Sequence, residues 1–227
     1  MKFENTEVMN FRSAIRGARN PLESWSKSDS GWGYVNDNGV IKPMFTIGEN
    51  DMKLLQNLIK SSIKWGNSHS KFLRQIFVTV DITASLYWWK EADTYKVGTT
   101  SNSCSTMHKL ASTPITMDNF EVDNFAIPYF IDVVKNCEEL RVKYNETKDK
   151  NYWRALIQLL PESWLQMRTI TLNYQVLRTM YFDRRYHKLS EWNTDFINWL
   201  KTLPYAEELI MYEDKEIIAK AQKEMKA

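Results

Sequence analysis

Two periods of apolar residues run through this chain. Residues 74–83 (RQIFVTVDIT) are dense in β-branched and aromatic side chains, and 164–172 (WLQMRTITL) has the same character; both predict strands. GVIKPMFTIG, 39–48, predicts a short strand, with Pro43 marking a sheet edge. Elsewhere the period is helical. Leu55, Leu58, Ile59 and Ile63 share one face of a helix that Asn50 or Asp51 can cap and that ends near Trp65. Phe130, Val133, Val134, Cys137 and Tyr144 mark a helix over 127–147. Trp153, Leu156 and Leu160 mark another over 150–159 that stops near Pro161. Shorter helical pieces fall at 85–93 and 175–185, and Trp192, Phe196 and Leu200 mark one over 188–203. Residues 1–38, rich in Ser, Asn, Asp and Gly after position 19, read as an irregular extension. Residues 94–109 and 115–126 read as loops, and 213–227 as a charged C-terminal helix. The mixed order of strands and helices predicts one α+β domain over 1–227.

Composition narrows the class. The 227 residues are 43% apolar, enough for a core, and include 9 Trp, 11 Tyr and 10 Phe. Such rings fill cores, line interfaces and stack on flat ligands. The formal charge of +2 does not favour a nucleic-acid polymer, which asks for a concentrated basic surface. A small anion needs only a few placed cations. Cys104 and Cys137 make neither a disulfide framework nor a CxxC metal motif, so a reducing, cytoplasmic setting is expected. The first residues lack an apolar signal core, and no run reaches a membrane span of about 18 residues. His69, His108 and His187 have no HxxxH or HExxH spacing, so no metal site is expected.

Two polar stretches could carry chemistry. Between Tyr95 and Thr106 nearly every residue hydrogen-bonds: Lys96, Asn102, Ser103, Cys104, Ser105 and Thr106 are among them. Hydroxyls and lysines suit phosphate oxygens, and an Asn amide both donates to and accepts from a pyrimidine edge. The same composition also describes an ordinary surface loop. Asn173, Arg178, Arg184, Arg185 and His187 form the second stretch; it could clamp an anion, or be a solvated helix end. Cys104 beside lysines is a candidate nucleophile, or simply an inert thiol.

The order of these pieces resembles the flavin-dependent thymidylate synthases. The helix and GNSHSK stretch of 53–72 is similar to the family's Gly-His-x-Ser-Pro-Phe, with His69, Ser70 and Phe72 matching and Lys71 in place of proline. Residues 76–110 follow its strand, short helix and signature segment. With a one-residue slip, Tyr95, Lys96 and Val97 take the Arg-His-Arg places, and Thr100, Asn102 and Ser105 match Ser, Asn and Ser. Ser103 then replaces a glutamate and Met107 an arginine; without the slip, Cys104 falls on the second serine and Thr106 on the arginine. LPESWLQMRTITLN, 160–173, is similar to the family's Leu-Pro, strand and Thr-x-Asn, and Arg184 sits where its substrate arginine follows that asparagine. The likeness spans about 53–200.

The resemblance implies a central, mostly antiparallel sheet flanked by helices. It implies one-carbon transfer to C5 of deoxyuridine monophosphate (dUMP) or a related pyrimidine nucleotide, with FAD as cofactor, NADPH and methylene-tetrahydrofolate as co-substrates, and a homotetramer. By carry-over, Lys90, Asn102, Ser103, Ser105 and Thr106 bind the nucleotide. His69, Tyr95, Lys96, Asn173 and His187 lie near the flavin, Arg184 polarises the pyrimidine, and Cys104 could attack C6. Losing Arg-His-Arg removes charge that lysine does not restore. A non-catalytic nucleotide-binding module and an oligomeric scaffold that kept the fold are the alternatives.

Overall fold

Phe77–Ser85 alternates buried and part-exposed residues, with Val78, Val80, Ile82 and Ala84 inside, and this period of two makes it a strand. The structure is a computed structural model that describes residues 1–37 and 39–214. In chain order its strands are β1 (Lys2–Met9), β2 (Gly31–Asp37), β3 (Val40–Thr46), β4 (Phe77–Ser85), β5 (Thr100–Ser103) and β6 (Leu165–Asn173). Its α-helices are α1 (Phe11–Arg19), α2 (Glu49–Trp65), α3 (Leu86–Ala92), α4 (Thr106–Lys109), α5 (Ile127–Thr147), α6 (Lys150–Leu159), α7 (Tyr174–Arg184) and α8 (Ile197–Lys201). Two π-helical turns, Glu191–Phe196 and Ala206–Ile210, complete the C-terminal part. The fold is α+β, with a mostly antiparallel sheet flanked by helices and the strand order β1-β4-β6-β5.

The chain forms two compact units. One comprises Met1–Thr6, Thr79–Lys96 and Thr100–Ile170. It holds an apolar cluster of Leu110, Ile115, Phe120, Cys137 and Leu156, against which Phe130, Val133, Val134 and Leu140 of α5 pack. α5 and α6 form a tight helical hairpin. Lys148 takes a left-handed conformation (φ 57°) to end α5, and the Asp149 carboxylate caps α6 by accepting from the Asn151 N–H at 2.9 Å.

The other unit comprises Glu7–Val78, Val97–Thr99 and the chain from Thr171 onward. Leu55 and Ile59 of α2 and Leu177 of α7 are fully buried, as are Leu73, Ile76, Trp192 and Leu200. Phe11 packs edge-on against Tyr174 and Tyr205, with ring centroids 5.7 and 5.6 Å apart. β2 and β3 pair antiparallel as a separate two-stranded sheet, with Pro43 opposite Tyr34.

Several expectations change. Residues 1–38 are not irregular: they hold β1, α1 and β2. The 94–109 stretch is not a plain loop: it contains β5 and the short α4. α2 starts after Gly48 without a side-chain cap of its own; Asp29 accepts from the Asn50 and Asp51 N–H groups at 2.8 and 3.1 Å. Asp51 is instead fully buried, and Ile63 of the expected apolar face is 45% exposed. The charged tail lies almost wholly outside the described residues. No helix among the described residues is long and apolar enough to cross a membrane.

Candidate functional site

In the first unit, the candidate nucleotide residues follow one another along β5 and into α4. β5 is an edge strand beside β6, with every residue exposed. The pairing continues past the strand, because the Cys104 N–H donates to the Met167 carbonyl at 2.9 Å. Asn102, Ser103 and Cys104 are exposed, whereas Ser105 and Thr106 are half-buried. Ser105 caps α4, its hydroxyl accepting from the His108 N–H at 3.2 Å.

What holds this segment in place was not among the residues singled out from sequence. Gln166 of β6 donates from Nε2 to the Cys104 carbonyl at 3.1 Å and to the Thr106 hydroxyl at 3.4 Å. Its Oε1 accepts from Arg168 Nε at 2.9 Å. The Arg168 guanidinium lies over the Trp89 ring, 4.3 Å from the centroid, and also donates to the Asp93 carboxylate at 2.9 Å. Trp89 is buried and donates its indole N–H to the Gln166 carbonyl at 2.9 Å. Three side chains, Gln166, Trp89 and Asp93, thus fix one guanidinium beside the 102–106 segment. The signal for it was present in the sequence: Gln166 and Arg168 are polar at a spacing of two within an apolar strand, and so share a face. Among the other candidates here, Lys90 is ion-paired with Glu162. Lys96 is exposed and Tyr95 half-buried, with its N–H bonded to the Ala92 carbonyl at 3.0 Å.

In the second unit, His69 is exposed on the rim of a cleft of about 720 Å³. Gly17, Pro21, Leu58, Lys71, Phe72 and Gln75 also line it. The neighbouring Ser70 is buried and donates to Gln175 Oε1 of α7 at 3.0 Å, which anchors the segment that presents His69. Gly17 sets the depth of the cleft near Gln75, since a Cβ there would come within 2.8 Å of Gln75 Oε1. Of the cofactor-binding candidates named from the sequence, His69 lines this cleft, together with Lys71 and Phe72 of the same stretch.

Asn173 precedes α7, Arg184 is its last residue, and His187 follows it. Asn173 is buried and caps α7, accepting from the Val176 N–H at 3.1 Å. The Arg184 guanidinium lies 4.9 Å from the centre of the Trp192 ring. His187 Nδ1 accepts from the Leu189 N–H at 3.2 Å, which leaves Nε2 to carry the proton of a neutral ring. Burial pulls the neighbouring Arg178 down to about 10, and it donates to the carbonyls of Ile210 and Tyr212 at 2.9 and 2.8 Å. That arginine is structural. Burial likewise pushes the Cys137 thiol up to about 11, whereas Cys104 is the exposed thiol. No group of three or more metal-ligating side chains is found among the described residues.

This architecture defines the chain as having the fold of the flavin-dependent thymidylate synthases. The particular likeness is to ThyX from Helicobacter pylori complexed with FAD and dUMP, at a TM-score of 0.66 and 20% identity, covering 92% of this chain and 98% of that one. A second structure of the Helicobacter pylori enzyme with FAD and dUMP agrees, at a TM-score of 0.66, 20% identity and 97% coverage of its chain. No protein-family model matches the sequence, and no curated protein matches it.

Proposed function

We propose that this chain is a divergent flavin-dependent thymidylate synthase, transferring a one-carbon unit to C5 of dUMP or a related pyrimidine nucleotide. The observation that carries this reading is the likeness of fold, over 92% of the chain, to a ThyX complexed with FAD and dUMP. The residues present fit both ligands. The His69 cleft has a volume in the usual range for small-molecule sites, apolar walls at Leu58 and Phe72, and a cation at Lys71. His69 and Lys71 would hold FAD there. Tyr95, Lys96, Asn173 and His187 keep in this proposal the flavin-binding roles that the resemblance implies. A bound flavin supplies hydride chemistry.

The nucleotide is assigned to the 102–106 segment. Asn102 offers the donor–acceptor pair that a uracil edge requires, and Ser103, Ser105 and Thr106 offer hydroxyls to phosphate oxygens. Arg168 is the fixed cation, replacing charge lost from the signature. Lys90 contributes less, because a phosphate has to compete with Glu162 for it. Arg184 keeps the pyrimidine-polarising role that the resemblance implies. Cys104 adds to C6 of the pyrimidine, which makes C5 nucleophilic toward the one-carbon donor; loss of the C5 proton with departure of tetrahydrofolate leaves a methylene on C5, and a hydride of the kind a bound flavin, reduced by NADPH, would supply converts it to methyl as the thiolate leaves C6. Methylene-tetrahydrofolate and NADPH are the proposed co-substrates, and a homotetramer the proposed assembly.

A non-catalytic nucleotide-binding module is the second reading. It is favoured by the commitment of cations to internal pairs, Lys90 with Glu162 and Arg168 with Asp93. The experiment that separates them uses dUMP labelled with tritium at C5. With FAD, NADPH and methylene-tetrahydrofolate, an active synthase releases the label to water. Nucleotide binding without flavin uptake or label release supports the module, and the absence of both kinds of binding rejects the two readings together. Cys104→Ser should keep nucleotide binding and lose label release; retained release removes the thiol from the mechanism.

A further inference from the structure

Outside the residues assigned above, the second unit holds a pocket with a chemistry of its own. It encloses about 370 Å³ between α1 and the first strand of the β2–β3 sheet. Its working side chains are Arg12, Arg16, Trp25, Trp32 and Phe45, with Arg19 behind them. Arg12 and Arg16 are one helical turn apart on α1 and exposed. Arg19 is buried and neutralised by Asp51 at 2.6 Å, so it adds no free charge. No carboxylate lines the pocket among the described residues, which leaves two guanidinium charges without a counter-ion there. Trp25 and Trp32 are 48% and 65% exposed. Their orientation is fixed all the same: the Trp25 indole N–H donates to Asn20 Oδ1 at 2.9 Å, and Trp32 packs edge-on to Phe45 at 5.6 Å. A neighbouring apolar cleft of about 490 Å³, lined by Met9, Pro43 and Met44, shares Arg12, Trp32 and Phe45 with it.

We propose that this pocket binds a planar aromatic anion no larger than a mononucleotide, the ring against the indoles and the phosphate or carboxylate on Arg12 and Arg16. Two features favour that class over a bare anion or an apolar ligand. Guanidinium groups bind phosphate or carboxylate bidentately, and exposed indoles held in position offer flat faces at little entropic cost. The volume lies at the small end of the range for ligand sites, too small for an extended cofactor such as FAD. The proposal is independent of the flavin and dUMP assignments, because it uses none of their residues.

The test is calorimetric titration of the full chain with 1-naphthyl phosphate, 1-naphthol and inorganic phosphate. The whole probe should bind at least tenfold more tightly than either half. Arg12→Gln/Arg16→Gln should weaken it at least tenfold, and Trp32→Ala several-fold. Arg74→Gln/Lys201→Gln, which removes equal charge at exposed positions elsewhere, should leave affinity unchanged, as should Asn102→Ala. Inorganic phosphate binding as tightly as the whole probe, equal loss in the Arg74/Lys201 control, or no binding at millimolar probe would each overturn the assignment. The substituted side chains are exposed, and an unchanged melting temperature verifies that each variant folds.

Discussion

At the scale of single residues, Asp51 organises the N-terminal half. Its buried carboxylate accepts from Arg19 Nε at 2.6 Å, from the Ser28 and Ser30 hydroxyls at 2.7 and 2.6 Å, and from the Asp29 and Ser30 N–H groups at 3.2 and 3.1 Å. This closes the turn that lets Asp29 cap α2. Gly48 is required beside it, since a Cβ there would lie 2.3 Å from Asp29 Oδ1. Burial alone would raise the Asp51 carboxyl, but the hydrogen bonds from Ser30, Ser28 and Arg19 outweigh it and hold the group below the usual carboxylate range. Asp51→Asn strands a buried guanidinium and should cost about 3 kcal/mol at pH 7, read from urea unfolding. The sign of the pH effect follows from the lowered value: the ionised carboxylate stabilises fully above the unfolded value of about 4, and that stabilisation is lost as pH falls through the folded one. The stability gap between wild type and Asp51→Asn should therefore stay constant from pH 7 to about pH 5 and narrow below about pH 4. A gap that widens in acid would contradict the assignment.

At the scale of elements, legibility tracked the hydrophobic period. α5, α6 and α7 could be read because their apolar faces repeat every three to four residues, and β4 because it is buried. β5 could not: an edge strand of Thr-Ser-Asn-Ser, exposed throughout, has no apolar alternation to reveal it. α1 carried a signal in Phe11, Ala14 and Ile15, but it is one short helix ahead of a Ser- and Asp-rich stretch that dominates the composition. The polar set at 102–106 could therefore be picked out as a candidate site, while the Gln166–Arg168 pair that braces it showed only as two polar residues at a spacing of two within an apolar strand. Asn173 shows a coupling that no linear reading gives. Gly98 adopts φ +83°, and a Cβ on it would meet Asn173 Nδ2 at 2.7 Å. Asn173→Ala should cost about 1 kcal/mol through the lost α7 cap. Gly98→Ala should cost about 1–3 kcal/mol from backbone strain and this collision. Because Asn173→Ala removes the colliding group, the two losses should fall short of additivity by at least about 0.5 kcal/mol in a double-mutant cycle. Strict additivity would mean that the strain at Gly98 is independent of the cap.

At the scale of the whole molecule, the net charge of +2 is too small to gather anions indiscriminately, so affinity for a nucleotide has to come from a few placed groups. Arg168 is the one whose geometry is most constrained: Trp89 below it, Gln166 and Asp93 at its edges, and a side chain only 16% exposed. A ligand that binds the native state alone stabilises it by about 2.7 kcal/mol at a hundred times its Kd, which for a chain of this size is a rise in melting temperature of roughly 5–10 °C. FAD and dUMP, titrated separately, should each produce a rise of that order. Arg168→Lys keeps the charge but loses the planar stack and the fork of donors. It should weaken dUMP about tenfold, reducing the dUMP-induced rise at fixed concentration while leaving the FAD-induced rise intact. Arg168→Gln should weaken dUMP further, and added salt should weaken dUMP binding to the wild type more than to Arg168→Gln, because the screened charge is absent from the variant. If Arg168→Lys binds dUMP as the wild type does, stacking and shape at this position are irrelevant and the guanidinium is there only to brace β6.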